Sequence, residues 1–188
     1  MNNIKKEFIE ARSVLDSYLS DDSNFKKLEE AGNIMVESLI CGRKLISCGN
    51  GGSMSDAMHF AEELSGQYRN RRKALAAISI SDPSHLTCAA NDFGFENIFS
   101  RFVEAMGQDG DVLLAISTSG NSANVVNAAM AAKEKGMKVI GLTGKDGGRL
   151  SALCDIELRA PHSDYSDRTQ EMHIKMIHAL IHYIELNI

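Results

Sequence analysis

The sequence predicts an α/β fold: an open three-layer α-β-α sandwich built on a five-stranded, parallel, doubly wound sheet with extra N-terminal helices. Three observations predict it. Short, continuous apolar runs recur along the chain, each ends in Gly/Ser/Asn-rich punctuation, and a helical pattern follows each one. A run that is apolar on both faces suits a strand covered by helices on both sides, and strand–helix alternation is what generates a parallel sheet.

Taken in order, the chain opens on two helices. Ile4, Phe8, Ala11, Leu15 and Leu19 keep spacings of three and four, the polar Ser20-Asp21-Asp22-Ser23-Asn24 supplies turn and cap residues, and a second amphipathic stretch runs from Phe25 to Leu39 and stops at Gly42. The strands follow at Lys44–Cys48, Ala74–Ile80, Asp111–Ser117, Lys138–Thr143 and Asp155–Arg159. Helical patterns lie between them at Ser53–Ser65, Ser84–Ala90, Glu96–Met106 and Ser122–Lys135, and a long helix from about Ser166 closes the chain. The two prolines, Pro83 and Pro161, stand at element starts, and there is no linker, low-complexity tract or fixed-period repeat. One domain over residues 1–188 is expected, with helices in 1–42 and the α/β core with its closing helix in 43–188.

Composition bounds the function. Of 188 residues 44% are hydrophobic, 24% charged and only 6% aromatic, with no Trp, which predicts an aliphatic, closely packed core. The net charge of −5 offers no bulk field to phosphate backbones, so neither nucleic acid nor an anionic membrane is an expected partner. The first residues mix acids and bases without a signal-peptide core, and no run reaches the roughly 18 apolar residues of a membrane span. Cys41, Cys48, Cys88 and Cys154 are widely spaced with no CxxC, and read as buried, reduced thiols. A soluble cytoplasmic protein that binds any phosphate locally is the expectation.

In doubly wound folds ligands sit beyond the carboxyl ends of the strands, so those loops carry the chemistry. The first is Cys48-Gly49-Asn50-Gly51-Gly52-Ser53, between a strand and a helix. Glycines admit a ligand close to the backbone, and the helix N-terminus favours an anion. No Gly-Lys-Ser/Thr follows, and the third position of a GxGxxG fingerprint falls on Met54, so neither a P-loop nor a dinucleotide loop is indicated. A plain tight turn is the alternative. The second loop, Ser117-Thr118-Ser119-Gly120-Asn121-Ser122, sets four hydroxyls within six residues at the end of another strand. That makes a neutral phosphate cradle, where a helix cap would need only one or two hydroxyls.

Acid–base groups stand beside the first loop. His59 and Glu63 are four apart and share a helix face, where they can bind one metal ion, act as a base with its neighbour, or form a solvated pair. The closing helix carries Gln170, His173, His178 and His182. Gln170 and His178, eight apart, lie near one face, while His178/His182 is an alternative metal pair and His182 otherwise a surface residue. Asn91-Asp92, ahead of Phe93-Gly94-Phe95, suits either sugar hydroxyls or a cap for the next helix.

Together, Ser47–Ser53, Asp56-Ala57-x-His59-Phe60-Ala61-x-Glu63-Leu64, Asn91-Asp92-x-Gly94-Phe95, Ser117–Ser122 and Gln170-Glu171-x-His173-Ile174 resemble the bacterial phosphoheptose isomerases, single sugar-isomerase (SIS) domains with a flavodoxin-like sheet, over essentially the whole chain. The resemblance implies isomerisation of D-sedoheptulose 7-phosphate to D-glycero-D-manno-heptose 7-phosphate through an enediol, the opening step of activated-heptose synthesis. It implies Glu63 as base and His178 as complementary acid. It also implies one Zn2+ per subunit, on His59, Glu63, Gln170 and His178. Phosphate would rest on Ser53, Ser117, Thr118, Ser119 and Ser122. The sugar would meet Asn50, Gly51, Gly52, Asn91, Asp92 and Asp167 together with Glu63 and Gln170. The family assembles as homotetramers, in keeping with N-terminal helices more apolar than one small sheet can cover. One departure stands out: the family commonly has Gly-Arg-Tyr where this chain has Gly66-Gln67-Tyr68, with Arg69 as the nearest replacement cation. Isomerisation of another sugar phosphate and non-catalytic sugar-phosphate binding are the alternatives. A phosphotransferase is disfavoured by the missing phosphate-loop lysine and Mg2+-type acidic cluster.

Overall fold

The structure, a computed structural model, describes residues 2–188. Helices α1 (Asn3–Leu19) and α2 (Ser23–Ile40) precede β1 (Leu45–Gly49), α3 (Gly52–Ser65), β2 (Ala77–Ser79) and α4 (Pro83–Phe93). A 3₁₀ turn at Phe95–Asn97 leads into α5 (Ile98–Met106), then β3 (Val112–Ser117), α6 (Ala123–Glu134), β4 (Lys138–Thr143), α7 (Gly148–Ser151), β5 (Ile156–Arg159) and α8 (Ser166–Asn187). The five strands are all parallel, in the order β2-β1-β3-β4-β5. This is the expected doubly wound α/β fold. The order reverses between β1 and β3, and that reversal opens a crevice at their carboxyl ends.

Two apolar layers hold the sheet, sorted by the period-2 alternation of the strands. Val112, Leu114 and Ile116 of β3 pack with Phe60 and Leu64 of α3 and with Met176, Leu180 and Ile184 of α8. Leu113 and Ala115 face the other way, onto Phe99 and Val103 of α5 and Val125 and Ala129 of α6. Helix α3 shows how one periodicity divides labour. Ala57, Phe60, Ala61 and Leu64 are buried, which leaves Asp56, His59 and Glu63 half-buried along the flank. Truncating the fully buried Phe60 to Ala costs about 3–5 kcal/mol, so the core side of α3 anchors its reactive side.

Several boundaries differ from the sequence reading. Strand β2 begins at Ala77, not Ala74, because it is an edge strand whose residues are half-covered at best. Helix α5 begins at Ile98, since Gly94 at φ 86° breaks the chain and a 3₁₀ turn follows. Helix α4 runs on to Phe93, started by Pro83 and by Asp82, whose carboxylate accepts from the His85 N–H at 2.8 Å. The four thiols are free, but only Cys48 is fully buried. Cys41 ends α2 and Cys88 lies on the outer side of α4, and both are exposed.

Candidate active site

The first loop folds by local bonds. Gly51 takes φ 54°, the Ser53 N–H donates to the Asn50 carbonyl at 3.0 Å, and α3 begins at Gly52. The Asn50 side chain is engaged at both ends: its Nδ2 donates to Asn124 Oδ1 at 2.8 Å, and Asn124 Nδ2 donates back to Asn50 Oδ1 at 2.9 Å. This pair ties the first loop to the start of α6. Asn50 therefore offers a ligand its backbone more readily than its amide.

The second loop is shaped the same way. Ser117 Oγ donates to Ser122 Oγ at 3.0 Å, and the Asn121 amide donates to the Ser119 carbonyl at 3.0 Å. Gly120, at φ 64°, lies against the Gly147 carbonyl, where a side chain would collide with backbone. Ser117 is buried, Thr118, Ser119 and Ser122 are half-buried, and Ser122 makes no side-chain cap to α6. Hydroxyls and open helix N–H groups thus converge.

Helix α8 enters beside both loops. The Gln170 amide lies directly against Gly52, and Thr169 packs on Gly144 next to the Thr118 carbonyl. Asp167, in the first turn of α8, is exposed and accepts from the Arg168 N–H at 2.9 Å. Asn91 and Asp92 occupy the exposed last turn of α4, where Asn91 Nδ2 donates to Asp92 Oδ1 at 2.7 Å. They do not cap the next helix, whose N-terminal Asn97 makes no side-chain cap.

Where α3 crosses α8, the acid–base groups meet. His59 Nε2 and His178 Nε2 stand 2.9 Å apart, and Glu63 Oε1 lies 3.7 Å from His59 Nε2. The opposite nitrogen of His59, Nδ1, faces Glu62 Oε1 at 3.1 Å. A carboxylate on Nδ1 holds the proton there and turns the Nε2 lone pair toward His178. Two imidazole nitrogens at 2.9 Å must share a proton or face a common cation. Among the described residues, the group of metal-competent side chains is His59, Glu62 and Glu63. Glu62 was not singled out from the sequence. It meets the far edge of the ring, so it orients His59 while Glu63 and His178 share its Nε2 side. Of the expected zinc quartet, three residues converge and Gln170 sits against Gly52. Two imidazoles with a carboxylate are donors suited to zinc.

Charge tuning follows from burial. His178 is held below the ordinary histidine range by burial and by His59, against the pull of Glu63, so its imidazole is neutral at pH 7. Burial lifts the Asp56 carboxyl to about 6, partly opposed by His59. His182 is not a plain surface residue. It is half-buried and tilted against Tyr68 at 6.5 Å, while His178 pairs with His59 across the helices. Arg69 lies over the Tyr68 ring at 5.2 Å, and Tyr68 stacks on His178 at 5.9 Å, so the cation reaches the site through an aromatic ring. Sequence reasoning missed Asn124 and Tyr68, since neither stands in a local pattern that marks a partner far along the chain.

Comparison with known proteins agrees with this fold. The SIS domain family profile matches residues 8–144. The chain is 58% identical to a phosphoheptose isomerase of Escherichia fergusonii over 182 residues, 97% of this chain and 95% of that one. It is likewise 58% identical to one of Glaesserella parasuis, covering 95% and 93% of the two chains. The solved phosphoheptose isomerase of Neisseria gonorrhoeae superposes with a TM-score of 0.91 at 41% identity, over 97% of each chain. That of Francisella tularensis superposes equally well, at 0.91 and 35% identity, over 99% of this chain and all of the other. At 58% identity over nearly the whole length of both chains, with the SIS profile matched over residues 8–144 and a solved phosphoheptose isomerase superposing at a TM-score of 0.91, the chain belongs to the phosphoheptose isomerase family of SIS-domain proteins.

Proposed function

We propose that the protein isomerises D-sedoheptulose 7-phosphate to D-glycero-D-manno-heptose 7-phosphate, opening activated-heptose biosynthesis. The observation that carries this reading is the meeting of His59, Glu63 and His178 where α3 crosses α8, on the helices that border the hydroxyl-lined crevice. Ser53, Ser117, Thr118, Ser119 and Ser122 bind the phosphate with the open N-terminus of α6. The backbone at Asn50, Gly51 and Gly52, with Asn91, Asp92, Asp167 and Gln170, orients the sugar.

Glu63 removes the proton from C-1 and returns it to C-2, so that the ketone becomes a secondary alcohol and C-1 becomes the aldehyde. His178 moves the hydroxyl proton from O-1 to O-2, for which its neutral imidazole is suited. His59, Glu63, Gln170 and His178 are the residues that would hold zinc, which when bound supplies polarisation of the carbonyl and stabilisation of the enediolate charge. Glu63 serves both needs by dividing its oxygens, with Oε1 toward His59 and the other toward substrate. His178 divides its nitrogens likewise: Nε2 faces His59, and Nδ1 is the nitrogen assigned to carry the proton.

A homotetramer is proposed as the working form, because Ile4, Phe8 and Ile9 leave an apolar stripe of α1 uncovered in the single chain. No helix among the described residues is long and apolar enough to cross a membrane, and the cytoplasm is the proposed compartment. The test is incubation with sedoheptulose 7-phosphate followed by NMR, with and without a chelator. An aldoheptose 7-phosphate establishes the reaction, and its loss with chelator makes the metal catalytic. Saturable binding without conversion moves the protein to a sensor role.

A further inference from the structure

We propose that residues 66–73, in the irregular segment between α3 and β2, form a strap that positions Glu63 and His178, and that its anchor is the buried pair Arg72–Glu185. This rests on the isomerase reading above. The Arg72 guanidinium lies under the carboxyl end of α3, where Nη2 donates to the Glu63 carbonyl and Nη1 to the Leu64 carbonyl, each at 2.7 Å. Its Nε faces Glu185 Oε1 of α8 at 3.4 Å, with the two side chains only 10% and 1% exposed. Glu185 also accepts from the backbone N–H of Asn70 at 3.3 Å and from its amide at 3.2 Å. One arginine therefore closes the last turn of the helix that carries Glu63, and it bonds to the backbone of Glu63 itself. A cation at a helix C-terminus complements both the open carbonyls and the dipole.

The other end of the connection reaches His178. Tyr68, in the same segment, stacks on the His178 ring at 5.9 Å and 27°, and meets His182 at 6.5 Å. His178, His182 and Glu185 stand at i, i+4 and i+7 on α8, one helical face, and all three are touched by the strap. The strap thus grips α3 by its carbonyls and α8 by that face, and so holds fixed the crossing at which His59 and Glu63 meet His178. Arg72 and Glu185 are positioning residues in this account. They act through Glu63 and His178 and do not touch substrate.

The experiment compares the full-length chain with Arg72→Met, Glu185→Leu and the double variant Arg72→Met/Glu185→Leu. Three readouts are taken: the unfolding midpoint, kcat and KM for sedoheptulose 7-phosphate, and the His178 Hε1 NMR shift, which the stacked Tyr68 ring displaces. Each single variant leaves a buried charge unpaired and lowers the midpoint, whereas the double removes both charges and regains part of the loss, the Glu63 and Leu64 carbonyls still lacking their guanidinium donor. Loss of the anchor lowers kcat by about 10²-fold in the double variant, the scale of an ångström-level misplacement of catalytic groups. KM stays near the parental value, because the hydroxyl loop on β3 is untouched, and the His178 shift moves toward that of an unstacked ring. Recovery of parental kcat in the double variant, or an unmoved His178 shift in any variant that folds, overturns the proposal. A parent chain that does not isomerise removes the functional reading instead, and the His178 shift then decides the strap by itself.

Discussion

Replacing Gly52 by Ala places a methyl group against the Gln170 amide. A Cβ built on Gly52 stands 2.6 Å from Gln170 Nε2 and 2.8 Å from its Cδ and Oε1. Reaching the ordinary contact distance of 3.4 Å requires the amide to retreat by about 0.8 Å (3.4 − 2.6). The obstacle is the far end of a flexible side chain, so the fold yields cheaply. Gly52 is the first residue of α3 and has no left-handed φ, and Gly→Ala within a helix gains up to about 1 kcal/mol. Stability is therefore expected to hold or rise slightly while activity falls. A displacement near 1 Å of a group that orients substrate or metal costs about 10²-fold in kcat/KM, or about 2.7 kcal/mol of transition-state binding. The assay pairs a thermal unfolding curve with initial rates on sedoheptulose 7-phosphate, and includes Gln170→Ala and the double variant. If the cost runs through Gln170, adding Gly52→Ala to Gln170→Ala lowers the rate little further. Parental kcat/KM in Gly52→Ala would mean that the Gln170 amide is not displaced from its working position, and full additivity of the two changes would mean that the cost does not run through Gln170.

Other consequences are equally measurable. Glu63→Gln keeps the size of the side chain but removes the base, so kcat falls by about 10²–10⁴-fold with an unchanged unfolding midpoint; a rate within twofold or so of the parent removes Glu63 from the proton path. His178→Gln is expected to abolish retained zinc, read by elemental analysis after gel filtration, and unchanged metal content rejects it as a ligand. His173 is fully buried with Nε2 on the Thr143 carbonyl at 2.8 Å, and burial pushes its pKa from 6.5 down to about 4. A histidine buried neutral contributes stability above pH 6.5 that is lost as pH falls from there toward 4, a difference worth about 3 kcal/mol. The stability advantage of the parent over His173→Gln, measured by urea unfolding, accordingly narrows by about that amount between pH 7 and pH 4; a constant gap contradicts it. Gly120→Ala faces both a left-handed φ of 64° and the Gly147 backbone, so it is expected to lower stability by about 1–3 kcal/mol, seen as an earlier unfolding midpoint.

Much of this protein was legible from local pattern. The five apolar runs lie at the five strands, and the glycine and hydroxyl loops sit at the carboxyl ends of β1 and β3 beside the order reversal. The failures were local conflicts decided by neighbours. Ala74–Ala76 read as strand, yet at the sheet edge no second neighbour rewards extension there, and Arg72 and Leu75 instead bond back to the end of α3. Gly94 redirected the start of α5 through a 3₁₀ turn that periodicity does not encode.

Periodicity and turn chemistry act within a few residues of chain, so the fold class and the strand-end loops were legible there, while the roles of His59, Glu63 and His178 came from motif resemblance. Long-range packing alone brings His59 to His178, Nε2 to Nε2, across 119 residues of chain, sets Glu62 on the far nitrogen, engages both ends of Asn50 with Asn124, and presses Tyr68 on His178. The distance between groups on different helices is set by how α3 and α8 cross over the sheet. That crossing is a sum of packing contacts from the whole core, and no local stretch of sequence carries it.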